Sequence, residues 1–167
     1  MVLSKDELIA SFKNEVRILL HLAGKIDRAK LDYRPTAKQR STIELLRYLS
    51  MMGPALVGAA IAGAFDEKLW TAAEQAASAL SFDEALAAIA AQPDAYATQL
   101  AAVSDADLRA EVVPFGEKTS RGAFLVNQVL CACAAYRTQL FLYLKACGRE
   151  ELSTWDLWAG TDAPAAS

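Results

Sequence analysis

Apolar residues recur every three to four positions over most of this chain, and the longest such run covers 119–148. On a helix of 3.6 residues per turn, Leu125, Val129, Ala132, Cys133, Tyr136, Leu140, Tyr143 and Cys147 fall on one stripe, with Asn127, Thr138 and Lys145 opposite. The spacing predicts one buried and one wet face on a helix roughly 40 Å long. Gly148 then ends it without steric cost in the left-handed region.

Three Ser-x-x-Glu capping boxes mark further helix starts. Ser4 to Glu7 opens a helix on which Leu8, Phe12, Val16, Leu19, Ala23 and Ile26 share a face. Pro35 makes 29–39 a loop, because the residue before a proline is pushed out of helical geometry. Ser41 to Glu44 opens the second helix, with Leu45, Tyr48, Leu49, Met52 and Leu56 on one face. From Tyr48 to Phe65 it carries no charge. That length could span a membrane, but Gly53 and Pro54 break it and its residues are small, so the expectation is a core helix kinked near Ser50. A helix apolar all round must be covered all round, partly by its own bundle and partly by a second copy, so a homodimer through this helix is expected. Asp66 and Glu67 cap a short helix over 68–80. Ser81 to Glu84 opens another towards Val103, which Pro93 should kink or interrupt. The turn-rich 104–118 contains Val112 to Gly116, suited to a brief extended pairing. In the tail, 149–167, Trp155 and Trp158 should dock on the bundle. The expected fold is a single all-α domain over 1–167, a four-helix bundle with a long crossover before its last member.

At 167 residues, 54% of them hydrophobic, the chain can bury one core. A net charge of −3 with scattered Lys and Arg gives no attraction for phosphate backbones, so nucleic acid is not expected as a partner. The start, 1–7, lacks a basic, apolar, small-residue leader, and a cytoplasmic location is expected with no membrane partner. Cys131, Cys133 and Cys147 lie on one helix and cannot make a disulfide framework. His21, the one histidine, sits among polar residues on the wet face of the first helix, as a solvated side chain or else as a metal ligand or base.

Three stretches together resemble the DinB/YfiT-like superfamily over nearly the whole chain: 31–36 leading into 40–49, 135–140 in the last helix, and the tail 155–160. The resemblance implies an often dimeric four-helix bundle holding a divalent metal, such as Zn or Ni, on three histidines. One stands on the second helix and two, four apart, on the last. The matching positions here are Tyr48, Ala132 and Tyr136, so the chain looks like a divergent member without the metal site. Alanine has no donor atom, and neutral phenols are poor ligands at neutral pH. Cys131 and Cys133 lie about 200° apart around a helix and cannot share an ion without unwinding it.

What remains is a cavity lined by Tyr48, Met52, Ala132, Cys133 and Tyr136, in which the two phenols can hydrogen-bond to one another. Arg137, off the stripe, should pair with a carboxylate of a neighbouring helix. These residues supply no base, no activated nucleophile and no electrophile. The expected function is therefore a metal-free small-molecule-binding or stress-associated bundle without a cofactor. The alternative that the resemblance implies is a thiol-dependent transferase or isomerase, or a hydrolase-like enzyme, working from the Tyr/Cys-lined cavity.

Overall fold

The computed structural model describes residues 3–164. The first two residues of the start read for a leader, and the last three of the tail, lie outside that span. Four helices form the bundle: α1 (Lys5–Ala23), α2 (Thr42–Ala62), α4 (Phe82–Gln99) and α6 (Cys131–Ala146). α1 and α2 each pack against both α4 and α6, which sets the order α1, α4, α2, α6 around the core. The short α3 (Glu67–Ser78) lies against the outer side of α2.

All three capping boxes form: Ser4, Ser41 and Ser81 each accept from the backbone N–H three residues on, and the glutamate there returns the bond. Each such cap contributes about 1 kcal/mol. Asp66 caps α3 through its carboxylate. The crossover after α4 ends in a two-residue hairpin, β1 (Glu111–Val112) against β2 (Thr119–Ser120), with Val112 opposite Thr119, so the brief extended pairing occurs. From β2 the chain enters α5 (Arg121–Phe124), passes through a wide π turn at Leu125–Leu130 and continues into α6. The Cys131 N–H reaches the carbonyl five residues back, at Val126, the signature of that turn.

α2 is the core helix. By length and composition it could cross a membrane, yet more than half of its most apolar stretch is buried inside the bundle. Leu45, Leu46 and Val57 are fully buried, whereas Ile61 and Ala62 at its end are exposed. α3 of the same chain covers part of α2. Pro54 sits inside the helix without ending it. Its missing N–H would leave the Ser50 carbonyl without a partner, at about 1–3 kcal/mol if buried and unsatisfied. Gln92 of α4 supplies the donor, its Nε2 reaching Leu49 O at 2.7 Å and Ser50 O at 3.1 Å. The Tyr96 hydroxyl donates to Gln92 Oε1 at 3.0 Å, and Gln99 Nε2 donates to Pro54 O. Gly53 makes room for this junction: a Cβ there would lie 2.0 Å from the Tyr96 hydroxyl oxygen. α4 also runs unbroken through Pro93, so that proline does not interrupt the helix.

The tail is strapped along α1 by polar groups rather than by its indoles. Arg17 donates to the Ala159 and Gly160 carbonyls, Lys25 pairs with Asp162, and the His21 N–H at Nε2 donates to Asp156 Oδ1 at 2.9 Å. His21 is thus half-buried beneath the tail, not a solvated surface histidine. The wide-turned helix Trp155–Ala159 points Asp156 inward, 3% exposed, and leaves Trp155 and Trp158 at 49% and 69%. The expectation of docked tryptophans is overturned, because the inward position is taken by the residue that meets charge and N–H groups. Trp158 instead lies over the Arg137 guanidinium, 5.5 Å from ring centroid to Cζ.

Two outcomes follow from these contacts. Gly53→Ala should lower stability in urea unfolding by about 2–4 kcal/mol, and adding Tyr96→Phe should restore part of the loss by removing the clashing oxygen. Burial alone would raise the Asp156 carboxyl, but the Ser153 N–H and hydroxyl and the His21 ring outweigh it and hold it below the ordinary aspartate range. A depressed carboxyl contributes stability that is present above the unfolded value near pH 4 and lost as pH falls through the folded one. Asp156→Asn should therefore cost about 1 kcal/mol at pH 7 and flatten the stability profile below pH 4, read by urea unfolding at each pH.

Candidate functional site

Near the N-terminal end of α2 a cleft of about 280 Å³ opens between α2 and α3, lined by Arg40, Glu44, Arg47, Tyr48, Met51 and Glu74 with the small Ala77 and Ser78. Residues 44, 47, 48 and 51 follow one helical row, and 74, 77 and 78 follow the facing row of α3. The Tyr48 ring forms one wall. Tyr136 of α6 meets it edge to face, centroids 5.1 Å apart, and Trp70 meets it from α3 at 6.1 Å. The row of rings runs on through Phe65, 5.5 Å from Trp70, to Phe115 of the hairpin, 5.0 Å further.

The Arg40 guanidinium stacks on Tyr48, its Cζ 3.8 Å from the ring centroid. Among the described residues its N–H groups find no hydrogen-bond or ion-pair partner. The Arg40 backbone is fixed separately, its carbonyl accepting from the Tyr143 hydroxyl at 2.9 Å. Arg47 uses Nε on the Leu80 carbonyl at 2.6 Å. Glu44 is committed to its capping box and to Arg34. Glu74 has no ion-pair partner among the described residues. Burial pushes the Tyr48 phenol above its ordinary value, the Tyr136 hydroxyl and Glu74 add to the rise, and Arg40 opposes it. At neutral pH Tyr48 is a neutral phenol, able to donate and accept.

Of the expected cavity residues, the structure joins Tyr48 with Tyr136 and disperses the others. Met52 is 1% exposed in the closed core, and Met51, at i+3 rather than i+4 from Tyr48, lines the cleft in its place. Ala132 packs partly buried against the core. Cys133 is placed among Glu15, Arg137 and Tyr96, away from the cleft, and burial followed by the Glu15 charge pushes its thiol up to about 12 although Arg137 pulls it back. Arg137 does pair with a neighbouring carboxylate, Glu15 of α1, at 2.8 Å, and is 3% exposed. Sequence reasoning missed Arg40, Arg47, Met51 and Glu74. The available signal was the i, i+3, i+4, i+7 row from Glu44, but it becomes a cleft only once α3 is known to lie across it.

A three-histidine metal centre does not fit the positions that the resemblance assigns to it. Ala132 offers no donor, and Tyr48 is held protonated by burial. Elsewhere, His21, Asp156 and Asp162 bring one nitrogen and two oxygens within 4.8 Å of one another. Lys25 already neutralises Asp162 there, so the group reads as a charge clasp for the tail.

No protein-family model matches the chain, and no curated protein matches it in sequence. In three dimensions it has the DinB-like helical-bundle fold. It is similar to the crystal structure of YjoA, a DinB-like protein from Bacillus subtilis, with a TM-score of 0.67 and 17% identity over 87% of this chain and 94% of that one.

With the thiol of Cys133 pushed up to about 12 and Cys131 exposed, a disulfide reagent at pH 8 should label Cys131 in seconds to minutes. Cys133 should react at least about a hundredfold more slowly until the protein is unfolded. Mass spectrometry of the labelled peptides reads the difference.

Proposed function

We propose that the protein is a metal-free binder of a small organic molecule that carries a carboxylate or similar planar acceptor, held in the cleft beside Tyr48. The observation that carries this reading is the Arg40 guanidinium. It is stacked on Tyr48, borders the cleft, and has N–H groups without a protein partner among the described residues. A guanidinium presents a planar fork that matches a carboxylate in two parallel hydrogen bonds. The Tyr48 hydroxyl adds a neutral donor, and the Met51 side chain adds apolar contact. The absence of a donor at Ala132 and the raised phenol of Tyr48 support binding without a metal. The enzymatic alternative needs an activated nucleophile or base in the cleft. Cys133 lies elsewhere with its thiol protonated, and the phenol beside the cleft is protonated too, so neither of the residues that alternative relies on supplies the group it needs.

Thermal unfolding in the presence of a panel of small organic acids tests the reading. At least one acid at millimolar concentration should raise the melting temperature of the wild type by several degrees, since a ligand at a hundred times its Kd adds about 2.7 kcal/mol. The shift should vanish in Arg40→Ala. A panel that stabilises nothing, or a shift that Arg40→Ala leaves intact, would remove the cleft from consideration.

A further inference from the structure

One helical turn beyond the Tyr48 cleft, the same seam between α2 and α3 opens into a second cavity of about 310 Å³. Its floor is Ala55, Gly58, Ala59 and Ala62, and Phe65 and Trp70 wall it. The two cavities abut along both helices. Met51 of the first is followed four residues on by Ala55 of the second, and Ala77 of the first lies four residues from Ala73 of the second. The Tyr48 and Trp70 rings meet at the boundary and form a sill between them. From Arg47 to Ala59 the seam runs roughly 18 Å at 1.5 Å per residue.

The two ends differ in chemistry. At the first, Arg40 and Arg47 face one uncommitted carboxylate, Glu74, because Glu44 is already engaged by Arg34, so the local balance favours an anion. The second is apolar except for Asp66 at its far end, which repels an anion there. An elongated ligand therefore has one preferred orientation. The floor is also open: a Cβ added at Gly58 would meet no atom within 4 Å, so the seam has width there that this chain does not fill.

We infer that the ligand is a single-chain amphipathic carboxylate, its head on Arg40 and Arg47 and its polymethylene body lying over the Tyr48–Trp70 sill along the alanine floor. This rests on the binding reading above and adds the ligand's class. A thin flexible chain can follow a seam that runs between two helices and crosses a sill of two rings.

The test is calorimetric titration of the full chain with straight-chain carboxylates from acetate to dodecanoate, each below its micelle concentration, with 1-decanol as the uncharged control. Each buried methylene is worth about 0.8 kcal/mol at most, close to a fourfold gain. Affinity should therefore rise two- to fourfold per carbon and then level off when the seam is full. Gly58→Leu places its side chain in the open seam, and it should abolish the gain beyond hexanoate while leaving hexanoate and shorter chains nearly unchanged. Arg40→Gln should weaken every carboxylate at least fivefold and leave 1-decanol unaffected. Circular dichroism and thermal unfolding confirm that each variant is folded.

Equal affinity for acetate and decanoate would overturn the seam and leave the Tyr48 cleft standing. Equal affinity for decanoate and 1-decanol would overturn the head-group assignment. If no carboxylate binds but another acid still shifts the wild type and not Arg40→Ala, the chain-like ligand is wrong and the binding reading survives. Co-sedimentation with phosphatidylglycerol vesicles that Gly58→Leu abolishes would show a membrane-facing seam. A dimer that Gly58→Leu dissociates would show the seam covered by a second copy. Either result would also overturn the proposal.

Discussion

Everything in this bundle turns on how α2 tolerates Pro54. An apolar helix in the centre of a small protein has no water to satisfy a carbonyl that loses its N–H. The Gln92 amide enters from α4 to take the Ser50 and Leu49 carbonyls, and Tyr96 fixes the orientation of that amide through its own hydroxyl. The junction is possible only because residue 53 has no side chain. Phe12 of α1 then packs on the Tyr96 ring with centroids 5.1 Å apart, so three helices meet at one polar knot wrapped in apolar side chains. Buried polar groups that find partners fix register in a way that methyl groups do not. Here they fix α4 against α2 on one side, which leaves the other side of α2 for α3.

That division sets the character of the site. The α4 side of α2 is closed and polar only at the knot. The α3 side is shallow: Ala77 is the buried residue of α3, Leu69 is 70% exposed, and the contact with α2 is made largely through alanines and Trp70. Two helices that meet through small residues over a long seam leave volume between them unless a larger side chain fills it. The charged end of that volume comes from residues at the start of α2, whose positions follow from the Ser41 capping box and from the Tyr143 hydroxyl that holds the Arg40 carbonyl.

The all-α fold and its helix starts were legible because capping boxes and a 3.6-residue period are local signals, and Ser4, Ser41 and Ser81 all cap the helices they were expected to cap. The pairing of Tyr48 with Tyr136 was legible too, from positions aligned by resemblance. The cleft was only half legible. Met52 and Met51 are both within one turn of Tyr48, and which of them faces the cleft depends on where α3 lies, a tertiary fact that periodicity does not carry. The errors at His21, Trp155 and Trp158 share a cause. The tail crosses the polar face of α1, so a face that reads as wet is covered, and Asp156 is the residue turned inward. Pro93 could have interrupted α4 and does not: a proline counts as a breaker only until neighbouring donors and packing are known.

The π turn at Leu125–Leu130 gives the last long helix one residue more than regular winding allows. A surplus residue acts as a phase shifter, because each position in an α-helix turns the chain by about 100°. Upstream, Leu125 seats in the core and the hairpin anchors the helix start; downstream, Tyr136 must face α2 while Arg137 faces Glu15 on α1. Regular winding would satisfy one half at the expense of the other. Loss of a single residue from this turn would leave the helix intact by every local measure, yet swing Tyr136 off Tyr48 and the guanidinium off its carboxylate. For this chain, insertions and deletions between 125 and 130 are therefore changes of azimuth rather than of length, and relatives that differ by one residue there would present a different wall to the cleft from the same helix.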